Sequence, residues 1–210
     1  KFNKPIIVVG HEVASYDAFK EVAKFAELSG SAVYQQTVPH GSHFPSEHIA
    51  FMGALPRLQN PTKKILENYD LLICIGCDGL RMSVWNDTEP LPSKMPIIHI
   101  GINEWEIGKN YFTELAIIGN VKNTLHDINQ YLKKTLTSKE SAKAKNNLAH
   151  IAKNNWTVKK KNLVSKTLDD KLKKPITPNW LMMNIANNIT KNNIVVEEGL
   201  VSTRALLNYL

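Results

Sequence analysis

Cysteine is nearly absent from this chain: Cys74 and Cys77 are the only two in 210 residues. Both lie in LLICIGCDG, and no second C-x-x-C exists to complete a four-thiolate zinc site. Cys74 sits inside an apolar strand run, so the pair reads as ordinary thiols, one buried and one at a strand end, in a reducing compartment. Also lacking is any apolar run near the roughly eighteen residues that a membrane span needs. No charged-then-apolar leader opens the chain. A soluble, cytoplasmic protein is therefore expected, with no membrane partner. The first residue is Lys rather than Met, which reads as a processed or excised piece.

Charge is not scarce, but its quality is restricted. Most of the net +7 lies between Lys133 and Lys174, in a stretch with no arginine and one aromatic residue, Trp156. Lysine clusters attract polyanions by counterion release. Without arginine forks or interleaved aromatics, a solvated helical surface on a connecting segment is the plainer reading, and nucleic acid is not expected as a partner.

What is present is an alternation of short apolar runs with helical spacing, and 43% hydrophobic residues can fill a substantial core. Ile6–Val9 is a β-branched run ending at Gly10. Helical spacing follows over Tyr16–Leu28, with Gly30 placed to end the helix. A second strand begins at Ser31–Tyr34. Residues 35–61, rich in His, Gly and Pro, read as a long loop with a short helix, and Thr62–Asn68 as another helix. Leu71–Ile75 is a strand ending at Gly76, and an irregular proline-bearing loop runs to Pro96. Ile97–Ile100 stops at Gly101, Leu115–Ile118 stops at Gly119, and both read as buried strands. Asn120 can then cap a helix whose Val121, Leu125, Ile128 and Leu132 share one face. Beyond Leu136 lysine and asparagine become frequent. Thr177 as N-cap and Pro178 at the first helical position open a new helix over Asn179–Thr190. A strand is expected at Ile194–Val196.

This order predicts an α/β fold: a three-layer, Rossmann-like, doubly wound parallel sheet, then a helical linker and a truncated second α/β element. The expected divisions are 1–136, 137–172 and 173–210.

Several constellations compete for a chemical role. Gly76-Cys-Asp-Gly79 with Asn103 superficially approaches a metal-diphosphate motif, but the first glycine is displaced and both pieces sit in strand-and-turn pattern. His40, His43 and His48 could be imagined as metal ligands, yet they lack any fixed helical or strand spacing. No metal ligand is assigned. A crevice is expected where strands end, near Gly10, Gly76 and Gly101. Gly10-His-Glu-Val lacks the second and third glycines of G-x-G-x-x-G, which disfavours pyrophosphate approach.

The combination resembles one family. KPIIVVGHEVASYDAFKEVAKFAELSGSAVYQQ is similar to the first strand, helix and second strand of the middle domain of thiamine diphosphate-dependent enzymes. The benzoylformate decarboxylase and acetolactate synthase group is the one resembled. PHGSHFPSEHIAFMG, YDLLICIGCDG and PIIHIGINEWEIGKNY look like later segments of that domain, and PITPNWLMMNIANNITKNNIVVEEG resembles the opening of the family's diphosphate-binding domain. The likeness covers the chain except roughly residues 137–172.

The resemblance implies a parent enzyme using thiamine diphosphate and Mg²⁺ on a small 2-oxo acid, with other domains and subunits of the same enzyme as partners in a homodimer or homotetramer. It implies that this chain is a central structural domain without the catalytic Glu or the metal ligands, so it carries no catalytic residue and is inactive alone. The one cofactor contact carried over is Glu198, Gly199, Leu200, Val201 and Ser202, whose backbone N–H groups would approach the diphosphate. Some members hold FAD or ADP in the middle domain. Here LRMSVWNDTE replaces the Arg- and Asp-rich segment of FAD-binding members, so bound flavin is not expected. Two other classes stay open: a free-standing FAD-, ADP- or NAD-binding module, and a basic interaction protein using the lysine tract.

Overall fold

The computed structural model describes residues 2–37, 41–83, 85–199 and 202–210. It divides into two compact units, Lys1–Trp156 and Thr157–Leu210.

The first unit is built on six strands: β1 (Pro5–Val9), β2 (Ala32–Gln35), β3 (Phe51–Ala54), β4 (Leu71–Ile75), β5 (Ile97–Gly101) and β6 (Leu115–Ile118). All are parallel, in the spatial order β3-β2-β1-β4-β5-β6. This is the doubly wound order whose direction reverses between β1 and β4. β1 and β4 are continuous apolar runs because helices or loops cover both of their faces.

Side-chain alternation splits each central strand between two cores. Ile7, Val9, Ile73, Ile75 and Ile100 face the helices α2 (Phe19–Ser29) and α4 (Val121–Thr135), meeting Val22, Phe25, Val121 and Leu125. Ile6, Val8, Leu72, Cys74 and Ile97 face the other way, toward Leu66 of α3 (Gln59–Leu66) and toward Leu80 and Met95 of the long loop before β5. Each such side chain stabilises the fold by about 1.5–3 kcal/mol through burial.

Local signals explain the ends. Asn120 caps α4 by accepting from the Asn123 amide at 3.1 Å. Gly30 ends α2 at φ 64°, and a Cβ there would lie 2.6 Å from the Ala144 Cα. Only glycine allows α5 (Ser138–Ala152) to pack so closely on the end of α2. α5 opens on a capping box, Thr137 with Glu140. Its lysines are therefore carried on a helix that buries Ala144 and Leu148 in this unit.

Four expectations need correction. The helix expected over Tyr16–Leu28 starts only at Phe19, as α2, because Asp17 at φ 48° is not helical, and a separate short helix, α1 (His11–Ser15), precedes it where none was expected. β3 was hidden in the predicted 35–61 loop. It is short, contains Gly53 at φ 101°, and pairs with β2 through a register shift. β6 is not a buried strand: it is an edge, with Leu115 and Ile118 49% and 61% exposed. Ile194–Val196 forms no strand, since no strand among the described residues stands beside it to bond its backbone.

The second unit is helical. It holds α6 (Trp156–Leu168, which starts at the boundary), α7 (Pro178–Asn187) and a 3₁₀ turn, Thr203–Asn208. Thr177 caps α7 by accepting from the Trp180 amide, with Pro178 in the first turn. Met182, Met183, Leu206 and Tyr209 form its small core, and the Tyr209 hydroxyl meets Thr167 Oγ1 at 2.7 Å.

Candidate functional site at the strand ends

In a doubly wound sheet the ligand crevice lies outside the carboxyl ends of the strands, at the reversal between β1 and β4. The residues there are Gly10, Gly76, Gly101 and the segments that follow them. In this chain they close on one another. A Cβ on Gly10 would sit 2.3 Å from the Cys77 Cα, so the loop after β4 lies directly against the end of β1. The Gly10 amide donates to the Ile75 carbonyl and the Glu12 amide to the Gly76 carbonyl, at 3.0 and 3.1 Å. Backbone donors that would otherwise face a phosphate are thereby engaged.

Glu12 fills the remaining space. It is 5% exposed, and its carboxylate accepts from the Ile102 and Asn103 amides at 2.9 and 3.2 Å. Sequence reasoning saw the strand-end glycines and the missing G-x-G-x-x-G, but not this residue. The signal was available: a carboxylate stands where that motif has its second glycine.

Polar groups around the loop after β4 are likewise paired within the chain. Gln36 Oε1 accepts from the Asp78 amide at 3.2 Å, and the Thr37 hydroxyl donates to the Arg81 carbonyl. The Asp78 carboxylate lies 3.4 Å from Arg81 and 3.9 Å from His11. His99 Nε2 lies 3.0 Å from the Cys77 carbonyl oxygen and donates to it in the Nε2–H tautomer. Burial holds the His99 imidazole below its ordinary pKa, against the pull of the Cys77 carbonyl and of Glu12. Cys74 and Cys77 are both buried free thiols. The hydrogen bond to Cys77, reinforced by burial, pushes the Cys74 thiol well above its ordinary pKa, which makes it a poor nucleophile. Beside β4 and β5, a cavity of about 20 Å³ lined by Cys74, Asp78, His99 and Glu106 has room for a water.

The histidines are dispersed. His43 is buried and its amide donates to Gln35 Oε1. His48 packs edge-on against Phe44 and lies 3.6 Å from Glu27. His40 lies outside the described residues. Among the described residues no group of three His, Cys, Asp or Glu side chains could hold a metal ion. Nor, among them, is any helix long and apolar enough to cross a membrane.

The loop carried over for cofactor contact lies in the second unit. Glu198 and Ser202 are exposed, while Leu200 and Val201 lie outside the described residues. The Gly199 amide donates to Glu197 Oε1 at 2.8 Å, and the Thr203 hydroxyl donates to the same oxygen at 2.7 Å. A diphosphate does not fit the Gly199 amide in this arrangement, because a carboxylate of the chain already takes it.

The first unit is thus a doubly wound α/β domain of Rossmann type whose crevice is packed with its own side chains. The family model described as "Thiamine pyrophosphate enzyme, central domain" matches residues 1–128. The chain belongs to that family. The acetolactate synthase large subunit of Corynebacterium glutamicum is 33% identical over 124 residues, which is 58% of this chain and 19% of that protein. A probable acetolactate synthase large subunit of Methanococcus aeolicus is 28% identical over 204 residues, 93% of this chain and 33% of that one. The chain therefore spans about a fifth to a third of these relatives' length. Among solved structures, benzoylformate decarboxylase from Polynucleobacter necessarius superposes with a TM-score of 0.75 at 16% identity, covering 100% of this chain and 35% of that one. A thiamine diphosphate-dependent 4-hydroxybenzoylformate decarboxylase from Rhodococcus jostii gives 0.72 at 19%, covering 99% and 35%. At such identities the superpositions show the fold alone.

Proposed function

We propose that this chain is the central structural domain of a thiamine diphosphate- and Mg²⁺-dependent 2-oxo acid decarboxylase or carboligase, inactive on its own. The observation that carries this reading is the central-domain match over residues 1–128, on a sheet whose ligand crevice is filled from within. In such an enzyme the cofactor supplies an electron sink for the carbanion left when carbon dioxide departs. This chain's own residues supply a rigid platform for the domains that bind it. The partners are other domains and subunits of the same enzyme, as a homodimer or homotetramer.

The five residues Glu198–Ser202 are proposed to come near the cofactor's diphosphate in that assembly. Glu197 then competes with the diphosphate for the Gly199 amide.

Calorimetric titration of the chain with thiamine diphosphate and Mg²⁺, together with a turnover assay on pyruvate and benzoylformate, tests the reading. No saturable binding and no carbon dioxide release are expected. Turnover by the isolated chain would overturn it. Tight retention of FAD, ADP or NAD, seen as a saturable rise in melting temperature, would favour a free-standing nucleotide module instead.

A further inference from the structure

We infer that the switch-point crevice contains a working anion seat whose permanent occupant is the Glu12 carboxylate. Emptied of that side chain, the seat would take a small carboxylate or phosphate. Three independent features of the first unit build it. The Ile102 and Asn103 amides are consecutive, and both point at the Glu12 oxygens, at 2.9 and 3.2 Å. Successive N–H groups of this kind form a concavity that binds anions. Gly101 leaves the space the carboxylate fills, since a Cβ there would stand 3.3 Å from both Glu12 oxygens. Gly76, at φ 56°, lets the Glu12 stem pass, since a Cβ there would meet the Glu12 Cβ at 2.5 Å.

The two strand-end glycines thus accommodate an internal anion, where a dinucleotide-binding sheet would accommodate a phosphate. The side chain is tethered and almost fully buried, so it outcompetes a free anion by its local concentration. It also ties the end of β1 to the connection between β5 and β6. The seat is a property of local geometry and does not rest on the family reading.

The test uses the full chain and formate as the probe, followed in ¹H–¹⁵N spectra at constant ionic strength against chloride. In Glu12→Ala, formate should shift the Ile102 and Asn103 amide resonances saturably and raise the melting temperature. Neither change is expected in the unaltered chain. The dissociation constant should be no tighter than roughly millimolar, the ceiling for three heavy atoms. An Ile102 and Asn103 response to formate that is equal in both proteins, or absent in both, overturns the inference. Should Glu12→Ala fail to fold, Glu12→Gln keeps the volume and removes the charge. Hydrogen exchange at Ile102 and Asn103 should then quicken about tenfold, the scale of one charge-assisted hydrogen bond. Unchanged exchange at those two amides would equally sink it.

Discussion

The two units of this chain use the same kind of apolar residue with opposite results. In the first, Ile6–Val9 and Leu71–Ile75 are buried β-branched or apolar runs, each bonded to a strand on either side. In the second, Ile194 and Val196 belong to a similar run and stand 93% and 88% exposed. Nothing intrinsic to Ile-Val-Val decides this. A strand exists where neighbours take up its N–H and C=O groups and where a face is covered. Residues 5–118 supply both, because each run is followed by a connection long enough to return parallel. Among the described residues the second unit has four buried hydrophobic residues, Met182, Met183, Leu206 and Tyr209, which is a small core by any measure.

The largest expected effect tests the dense side of that comparison. Ile7→Ala removes a fully buried side chain from the central strand and should cost about 2–5 kcal/mol, a large part of a domain's whole stability. Urea denaturation followed by far-ultraviolet circular dichroism measures it. A loss below about 1 kcal/mol would mean that the sheet is not packed as described. Next in size is Met182→Ala in the second unit, at about 2–3 kcal/mol. Hydrogen exchange should locate that loss in α7 and in the 3₁₀ turn it packs against, with the amides of β1 and β4 unchanged. Matching acceleration across β1 and β4 would show that the two units melt as one.

These contrasts also show what the sequence could reveal. Ile6–Val9 and Leu71–Ile75 were legible because a strand buried on both faces is an unbroken apolar run closed by glycine, and Ile97–Ile100 because His99 alone interrupts the same pattern. The caps Asn120, Thr177 and Gly30 were legible because each acts within a few residues of itself. β3 was not, since its four residues include Gly53 and its identity as a strand depends on β2, sixteen positions earlier at the nearest. The exposure of β6 was hidden for a related reason: Leu115–Ile118 has a core composition, and only the sheet order makes it an edge. At the crevice, the lack of a dinucleotide fingerprint was visible. That Glu12 would reach Ile102 and Asn103 was not, because about ninety residues separate the partners.

A smaller effect comes from the imidazole beside the crevice. Burial depresses the His99 pKa in the folded chain below its ordinary 6.5, while the unfolded chain keeps the ordinary value. The unfolded state therefore binds the proton first as pH falls. His99's contribution is complete above about pH 7 and is lost progressively as pH drops through 6.5 toward the folded value. His99→Gln should flatten the slope of unfolding free energy against pH between 7 and 5. An identical slope in both proteins would remove His99 as the cause.

The smallest effect concerns the open side. Ile194→Ser and Val196→Ser replace exposed side chains in a segment without strand partners, so each should change stability by no more than about 0.5 kcal/mol. The same Ile→Ser exchange at position 73, buried in β4, would leave a hydroxyl and a void among apolar neighbours. The pair of measurements isolates environment from residue type. If Ile194→Ser instead cost more than about 1 kcal/mol in thermal denaturation, the side chain would be covered in solution. The segment would then have found a partner, and the contrast between the units would be one of assembly rather than of fold.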